Sequence, residues 1–223
     1  MGGCCIKFKT LIAKKNVAND DGIGVIKLRR IIMLKRIFLL ILIIALALFA
    51  CTGGGAERCN SLSDCQKSFK VMTFNIRLNT PVDGPNQWPH RKTFAASMIR
   101  FHHADITGLQ EAMKDQVDDL TALLPEYDWF GIGRDDGKEA GEFMAIFYRK
   151  DRFEVLEQST FWLSETPETV SKGWDAMCFR VVTWGKFKDK VTGKIFFLFN
   201  THFDHVCEIA RRESAKLLLQ RIN

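Results

Sequence analysis

The sequence predicts an α+β domain over residues 69–223, preceded by an export leader. Three observations carry that reading. Between Phe69 and Leu124, two helix-like stretches alternate with two short strand-like runs. From Tyr127 onward, five apolar or alternating runs follow one another, with turn residues between them. A last helical stretch closes the series. Composition agrees: 47% hydrophobic and 11% aromatic residues in a chain of 223 suit one packed domain rather than a disordered or fibrous chain.

The leader comes first. Lys35-Arg36 precedes fourteen uninterrupted apolar residues, Ile37 to Ala50. A bilayer-crossing helix needs about 20 apolar residues, and the core of an export signal about 7–15. The run therefore predicts export. It ends in Leu48-Phe49-Ala50-Cys51, followed by Thr52-Gly53-Gly54-Gly55, which resembles a bacterial lipobox. Cys51 is thus expected to carry lipid and to anchor the protein on the periplasmic or cell-surface side of a bacterial membrane. A plain signal peptide, or a short uncleaved anchor, is the alternative, since Phe49 is bulkier than that pattern usually has. Met33 stands just before the basic flank, so the start is expected there and residues 1–32 read as upstream sequence. Met1-Gly2-Gly3-Cys4-Cys5 hints at acylation, but Ile6 occupies the place of the required Ser or Thr.

Residues 51–68 read as a lipid-attached tether. Cys59 and Cys65 within it suit a local disulfide in an exported protein. Without a nearby His pair they do not suggest zinc. Cys178 and Cys207 read as buried thiols.

Charge weighs mildly against one class of partner. Of 32 basic and 26 acidic residues, nine and two lie in residues 1–50, leaving 23 against 24, a net of −1 for residues 51–223. The domain therefore carries no net pull toward duplex nucleic acid.

The elements follow in order. Phe69 to Asn75 alternates as a strand. Arg91 to Phe101 reads as a helix with Phe94, Met98 and Phe101 on its inner face. Asp105 to Gln110 is a short strand stopping at Glu111, and Asp115 to Leu124 an amphipathic helix closed by Pro125. Strands are expected at 127–132, 142–148, 153–161, 177–187 and 195–200, the last as one continuously buried run. Asp189 to Gly193 is a hairpin turn. Glu208 to Arg221 is the last helix, with Ala210, Ala215, Leu217 and Leu218 among its inward candidates.

Three strand ends present a polar group after an apolar run: Asn75, Glu111 and His202. A carboxylate and an amide at separate strand ends suit a hard, oxygen-ligated cation. Mg²⁺ is commonly held by one or two carboxylates plus water and a substrate phosphate. A histidine nearby can donate to a phosphate oxygen or move a proton. Each also has a plain explanation: a turn cap for Asn75, a helix-start charge for Glu111, a backbone bond for His202.

The segments TFNIR, DITGLQE and FNTHFDH, in this order and spacing, resemble the endonuclease/exonuclease/phosphatase superfamily, the deoxyribonuclease I-like fold. GRDDGKEAGEFMAIFY and FWLSETPETVSKGWDA are similar to its exported bacterial branch. The resemblance runs almost continuously from residue 69 to 223. It implies a four-layer α/β/β/α sandwich, of which this chain would build the N-terminal half, and Mg²⁺-dependent (or Mn²⁺-dependent) hydrolysis of a phosphoester. It implies Glu111 as the metal ligand, Asn75 beside the metal positioning water or phosphate, and His202 on the scissile phosphate. Asn200, Asp204 and His205 become further substrate candidates. Arg180 reads equally as a phosphate clamp and as an outward-facing strand residue. Glu139 and Glu142 read as solvated loop charges, and Trp162 and Trp174 as core aromatics before stacking platforms.

The family pattern continues with a Gly-Asp-x-Asn and a Ser-Asp-His motif, and neither occurs in these 223 residues. The resemblance therefore implies a truncated chain with weak or no hydrolysis of its own. It also implies an apolar sheet face that another chain would have to cover. A non-catalytic binding lipoprotein, or a decayed remnant, is the competing expectation.

Overall fold

The computed structural model describes residues 67–222. The export signal, Cys51 and the Cys59 and Cys65 pair lie outside the described residues. The α+β expectation holds. Two sheets pack face to face: a mixed four-stranded sheet and an antiparallel three-stranded one.

The first sheet is built from β1 (Val71–Asn75), β2 (Ile106–Gln110), β3 (Tyr127–Phe130) and β4 (Ile146–Arg149), in the order β1-β2-β4-β3. Only β1 and β2 are parallel, with Asn75 beside Gln110 at their common end. The connection between them is α1 (Trp88–Phe101), preceded by a 3-10 turn (Pro81–Asn86), while α2 (Lys114–Leu123) follows β2. Both helices cover the outer face of this sheet, where Trp88, Ala95, Ile99, Val117 and Leu120 pack with Leu109 and Phe147. The expected inner face of α1 is corrected here. Phe94 and Phe101 are 68% and 75% exposed, and the buried stripe is Trp88, Ala95, Ala96 and Ile99. Trp88 anchors the helix start, and two alanines let the backbone approach the sheet closely.

The second sheet holds β5 (Phe153–Trp162), β6 (Val181–Asp189) and β7 (Ile195–Thr201) in sequence order. The expected hairpin turn is present, with the Gly193 amide donating to Asp189 O at 2.7 Å. Helix α3 (Glu208–Ile222) buries Ala210 and Ser214, with Leu217 and Leu218 packed toward Phe161 and Val182.

Strand β7 is not the continuously buried run expected. It lies at the sheet edge and alternates, with Ile195 and Phe197 more than half exposed. The opposite face packs Phe196 and Leu198 into an aromatic layer with Ile106, Phe130, Phe153 and Phe187. Two other strands start later than expected. Residues 142–145 make only isolated bridges, Phe143 pairing with Ala112 and Gly133, and residues 177–180 form a loop before β6.

One polar contact fixes the sheets against each other. Strand β2 is buried on both faces, and Gly108 faces β7. A Cβ at Gly108 would lie 2.8 Å from Asn200 Cγ, so only glycine admits the Asn200 side chain. Asn200 Nδ2 donates to Leu109 O (2.8 Å) and Ala145 O (3.1 Å), while its Oδ1 accepts from Gln110 Nε2 (2.7 Å). The two residues joined by that last bond stand immediately before Glu111 and two before His202.

Candidate active site

Strand pairing explains why these side chains meet. The parallel pair β1 and β2 delivers Asn75 and Glu111 at one end of the first sheet. In the second sheet Val182 lies opposite Thr201, so the entry to β6 and the exit of β7 coincide. That puts Arg180 beside His202. Glu111, Arg134, Glu142, Arg180, His202 and His205 line one cleft of about 330 Å³, walled on a further side by Arg77 and Leu78.

Glu111 has a left-handed backbone, φ 59°. For a residue with a Cβ this costs about 1–2 kcal/mol, and such strain concentrates at functional sites. Here it turns the carboxylate out of the strand. Asn75 Nδ2 donates to Glu111 Oε1 at 2.8 Å, and Asn75 Oδ1 accepts the Arg77 amide at 2.9 Å. Both ends of the Asn75 amide are thus used, and its orientation is fixed by a carboxylate on one side and an N–H on the other. Arg77 Nη1 lies 3.9 Å from Glu111 Oε2 but is held chiefly by Asp83.

Arg180 is buried, which removes the outward-facing alternative. Its Nη2 donates to His205 Nδ1 at 3.0 Å, and its Nε sits 3.5 Å from Asp204 Oδ2. Because a guanidinium only donates, His205 Nδ1 is the bare nitrogen in this contact. Asp204 is itself buried. Its carboxylate accepts the amides of Met177, Val206 and Cys207 at 2.9–3.0 Å. Against the upward push of burial, those N–H groups, aided by Arg180, hold its carboxyl well below the usual range. Asp204 therefore ties the Cys178 loop to the start of α3 and steadies Arg180, with no free oxygen face toward the cleft.

His202 is half-buried. Burial first, then the Arg180 charge, pulls its pKa below 6.5, so it is neutral at physiological pH. Its Nδ1 is buried and makes no hydrogen bond among the described residues. An unpaired buried acceptor is better tolerated than an unpaired N–H. The proton therefore belongs on Nε2, leaving His202 as a neutral donor.

The loop between β3 and β4 contributes a pair that sequence reasoning missed or misread. Arg134 is buried, and its Nη1 bonds Glu142 Oε2 at 2.8 Å. Burial raises the Glu142 pKa, with the Arg134 charge opposing. Glu142 is thus not a solvated loop charge, whereas Glu139 is exposed and, among the described residues, pairs with Lys114 at 3.6 Å. An RDDG turn closed by Gly-Glu was the available signal.

Asn200 does not reach the cleft; both ends of its amide are bound between the sheets. Trp162 is core, its Nε1 donating to Arg134 O at 2.8 Å. Cys178 and Cys207 are only half-buried, and Cys178 borders the cleft.

Among the described residues, no cluster of three His, Cys, Asp or Glu side chains could cage a metal. The donor set at Glu111 still fits Mg²⁺ or Mn²⁺. It is one hard carboxylate whose two oxygens each take a single hydrogen bond, from Asn75 and from the Leu78 amide, leaving lone pairs for a cation that keeps waters and a phosphate.

The comparisons agree with the fold. The model of the Endonuclease/Exonuclease/phosphatase family matches residues 72–215. The crystal structure of the endonuclease/exonuclease/phosphatase from Bacteroides vulgatus is 56% identical, with a TM-score of 0.66, over 67% of this chain and 58% of that one. A Bacteroides thetaiotaomicron mannosyl-6-phosphatase is 45% identical, with a TM-score of 0.68, over 70% and 59%. Protein L388 of Acanthamoeba polyphaga mimivirus is 27% identical over 152 residues, 64% of this chain and 57% of that protein. This chain thus spans under three fifths of the length of each of these relatives. It belongs to the endonuclease/exonuclease/phosphatase family.

Proposed function

We propose that this chain supplies the metal-binding and phosphate-binding side of a phosphoester hydrolase acting on a small-molecule phosphate. The supporting observation is the charge layout of the cleft, where the Glu111 carboxylate, with Arg77 Nη1 3.9 Å away, faces Arg180 and the neutral donor His202. Glu111, oriented by Asn75, would hold Mg²⁺ or Mn²⁺, which when bound polarises a phosphoryl oxygen and neutralises its charge. Arg180, steadied by Asp204 and His205, donates to a phosphate oxygen in fixed orientation. His202 donates through Nε2 to charge developing on the phosphoryl group. The likeness to a mannosyl-6-phosphatase favours a phosphate monoester over nucleic acid, as does the net −1 of residues 51–223 (23 basic, 24 acidic).

We place the protein outside the cytoplasm, lipid-anchored at Cys51, with a second chain over the exposed face of β5–β7. Phe161, Trp184, Phe197 and Phe199 border an open groove of about 370 Å³ on that face. The competing reading is a binding lipoprotein that holds the same phosphate without hydrolysing it.

Phosphate release from a hexose phosphate, with and without MgCl₂, separates the two. Mg²⁺-dependent release that falls at least about tenfold in Glu111→Gln and in His202→Ala is expected. Release indifferent to both substitutions removes the catalytic assignment. Ligand bound and recovered intact establishes the binding protein instead.

A further inference from the structure

We propose that Arg134 and Glu142 form a leaving-group subsite that reads hydroxyls, so that the ester in the cleft is a sugar or polyol phosphate. This rests on the phosphoester reading above and adds what the far side of the phosphate must look like.

The pair is costly where it stands. The Arg134 and Glu142 side chains are only 10% and 12% exposed. Arg134 Nε is buried without a hydrogen bond, the nearest acid, Asp135 Oδ1, lying 3.6 Å away. A buried ion pair contributes little net stability over apolar residues of the same size. Ionic groups kept at such a cost on the wall of a cleft mark a functional site.

The pair is also held rigidly. Arg134 N donates to Glu142 O (3.2 Å), and Asp135 N to Ala140 O (3.0 Å). Asp136 Oδ1 accepts the amides of Lys138 and Ala140 at 2.7 and 2.9 Å. Gly141 has φ +81°, and a Cβ there would fall 2.4 Å from Asp135 Cγ, so the turn needs glycine. Trp162 fixes the loop from below through Arg134 O. Such support is what a recognition group requires.

The chemistry selects the ligand. Arg134 and Glu142 neutralise each other, so neither a second phosphate nor an ammonium head group gains a full opposite charge. What remains is a donor beside an acceptor. Among the described residues, Arg134 Nη2 and Glu142 Oε1 carry no hydrogen bond, while Nη1 and Oε2 bind each other. A hydroxyl both donates and accepts, and two adjacent hydroxyls match such a pair. Apart from the two histidines, no aromatic ring lines the cleft among the described residues, so a nucleobase finds no stacking platform on this side of it.

The test is calorimetric titration of the full chain in mild detergent with MgCl₂, using mannose 6-phosphate and inorganic phosphate as probes. The sugar phosphate should bind about tenfold tighter than inorganic phosphate, the effect of one hydrogen bond to a charged group. Glu142→Gln should erase most of that ratio. Because this variant leaves Arg134 without its counter-charge, Arg134→Met/Glu142→Leu serves as a second variant with no unpaired buried charge, and it too should lose the ratio. Equal affinity for both probes in the parent chain overturns the subsite alone, as does a ratio unchanged in both variants. Failure of both probes to bind the parent chain overturns the phosphoester reading itself.

Discussion

Asn200 offers the sharpest test of how this site is assembled. Its amide makes three hydrogen bonds across the sheet interface, to Leu109 O, to Ala145 O and from Gln110 Nε2. Replacing it with alanine does not orphan every partner. Ala145 O keeps the Leu109 amide, and Gln110 Nε2 keeps Gly108 O. The loss is therefore two net hydrogen bonds, at about 0.5–1.5 kcal/mol each, and a desolvated Leu109 carbonyl short of this donor, at about 1–3 kcal/mol. Asn200→Ala should cost about 2–6 kcal/mol, which in a domain of this size lowers Tm by roughly 4–24 °C. Near-UV circular dichroism melts and urea titration would measure it. Phosphate affinity should fall as well, because Gln110 and Asn200 set the register of Glu111 and His202. A melt within about 2 °C of the parent, with phosphate binding lost, would refute the reasoning and return Asn200 to direct substrate contact.

Gly108→Ala drives a methyl into Asn200 Cγ at 2.8 Å and should destabilise by about 1–3 kcal/mol in the same melts. Asp204→Asn removes the charge that faces Arg180 Nε and weakens the bonds from Met177, Val206 and Cys207. Phosphate affinity should drop about tenfold or more, and an unchanged affinity would mean that Arg180 needs no such support. His202 has a folded pKa below its ordinary 6.5, so the folded state binds fewer protons in the interval between the two values. Its contribution to stability is complete above about pH 6.5 and is lost as pH falls through that value toward the folded pKa. His202→Gln should flatten urea-derived stability over that interval, and an unaltered slope counts against a neutral buried imidazole. Phe197→Glu, on the exposed face of edge strand β7, should reduce self-association in sedimentation runs if that face recruits another chain.

Much of this was legible in the sequence because strands end where chemistry begins. Asn75, Glu111 and His202 each follow an apolar run, and the parallel and antiparallel pairings bring those ends together. What was not legible depended on the third dimension. A continuous apolar run cannot distinguish an edge strand from a buried one, so β7 read as core although its Phe197 face is open. Period 3.6 placed Phe94 and Phe101 inward, yet one Trp and two alanines won the inner face because close helix–sheet approach favours small residues. Glu142 read as solvated because loop charges usually are, and only its burial against Arg134 showed otherwise.

Asn200 and Gly108 show why residues beside a site can look like members of it. Asn200 sits two positions before His202 in a polar cluster, and that proximity alone made it a substrate candidate. Alternation along β7 places it on the same face as Phe196 and Leu198, in the sheet interface where Gly108 leaves room for it, whereas His202 lies beyond the end of the strand. The same alternation applies on β2, where Gln110 meets Asn200 and the next residue, Glu111, escapes the strand by a left-handed turn. The inner residues set the distance between the sheets and the outer ones use it. A shift of the sheets by even an ångström would separate the Glu111 carboxylate from His202 and Arg180 together, since each pair is carried by its own sheet. Binding at this cleft is therefore expected to fail cooperatively, with losses at Asn200 and at Glu111 in a double variant smaller than the sum of the single losses.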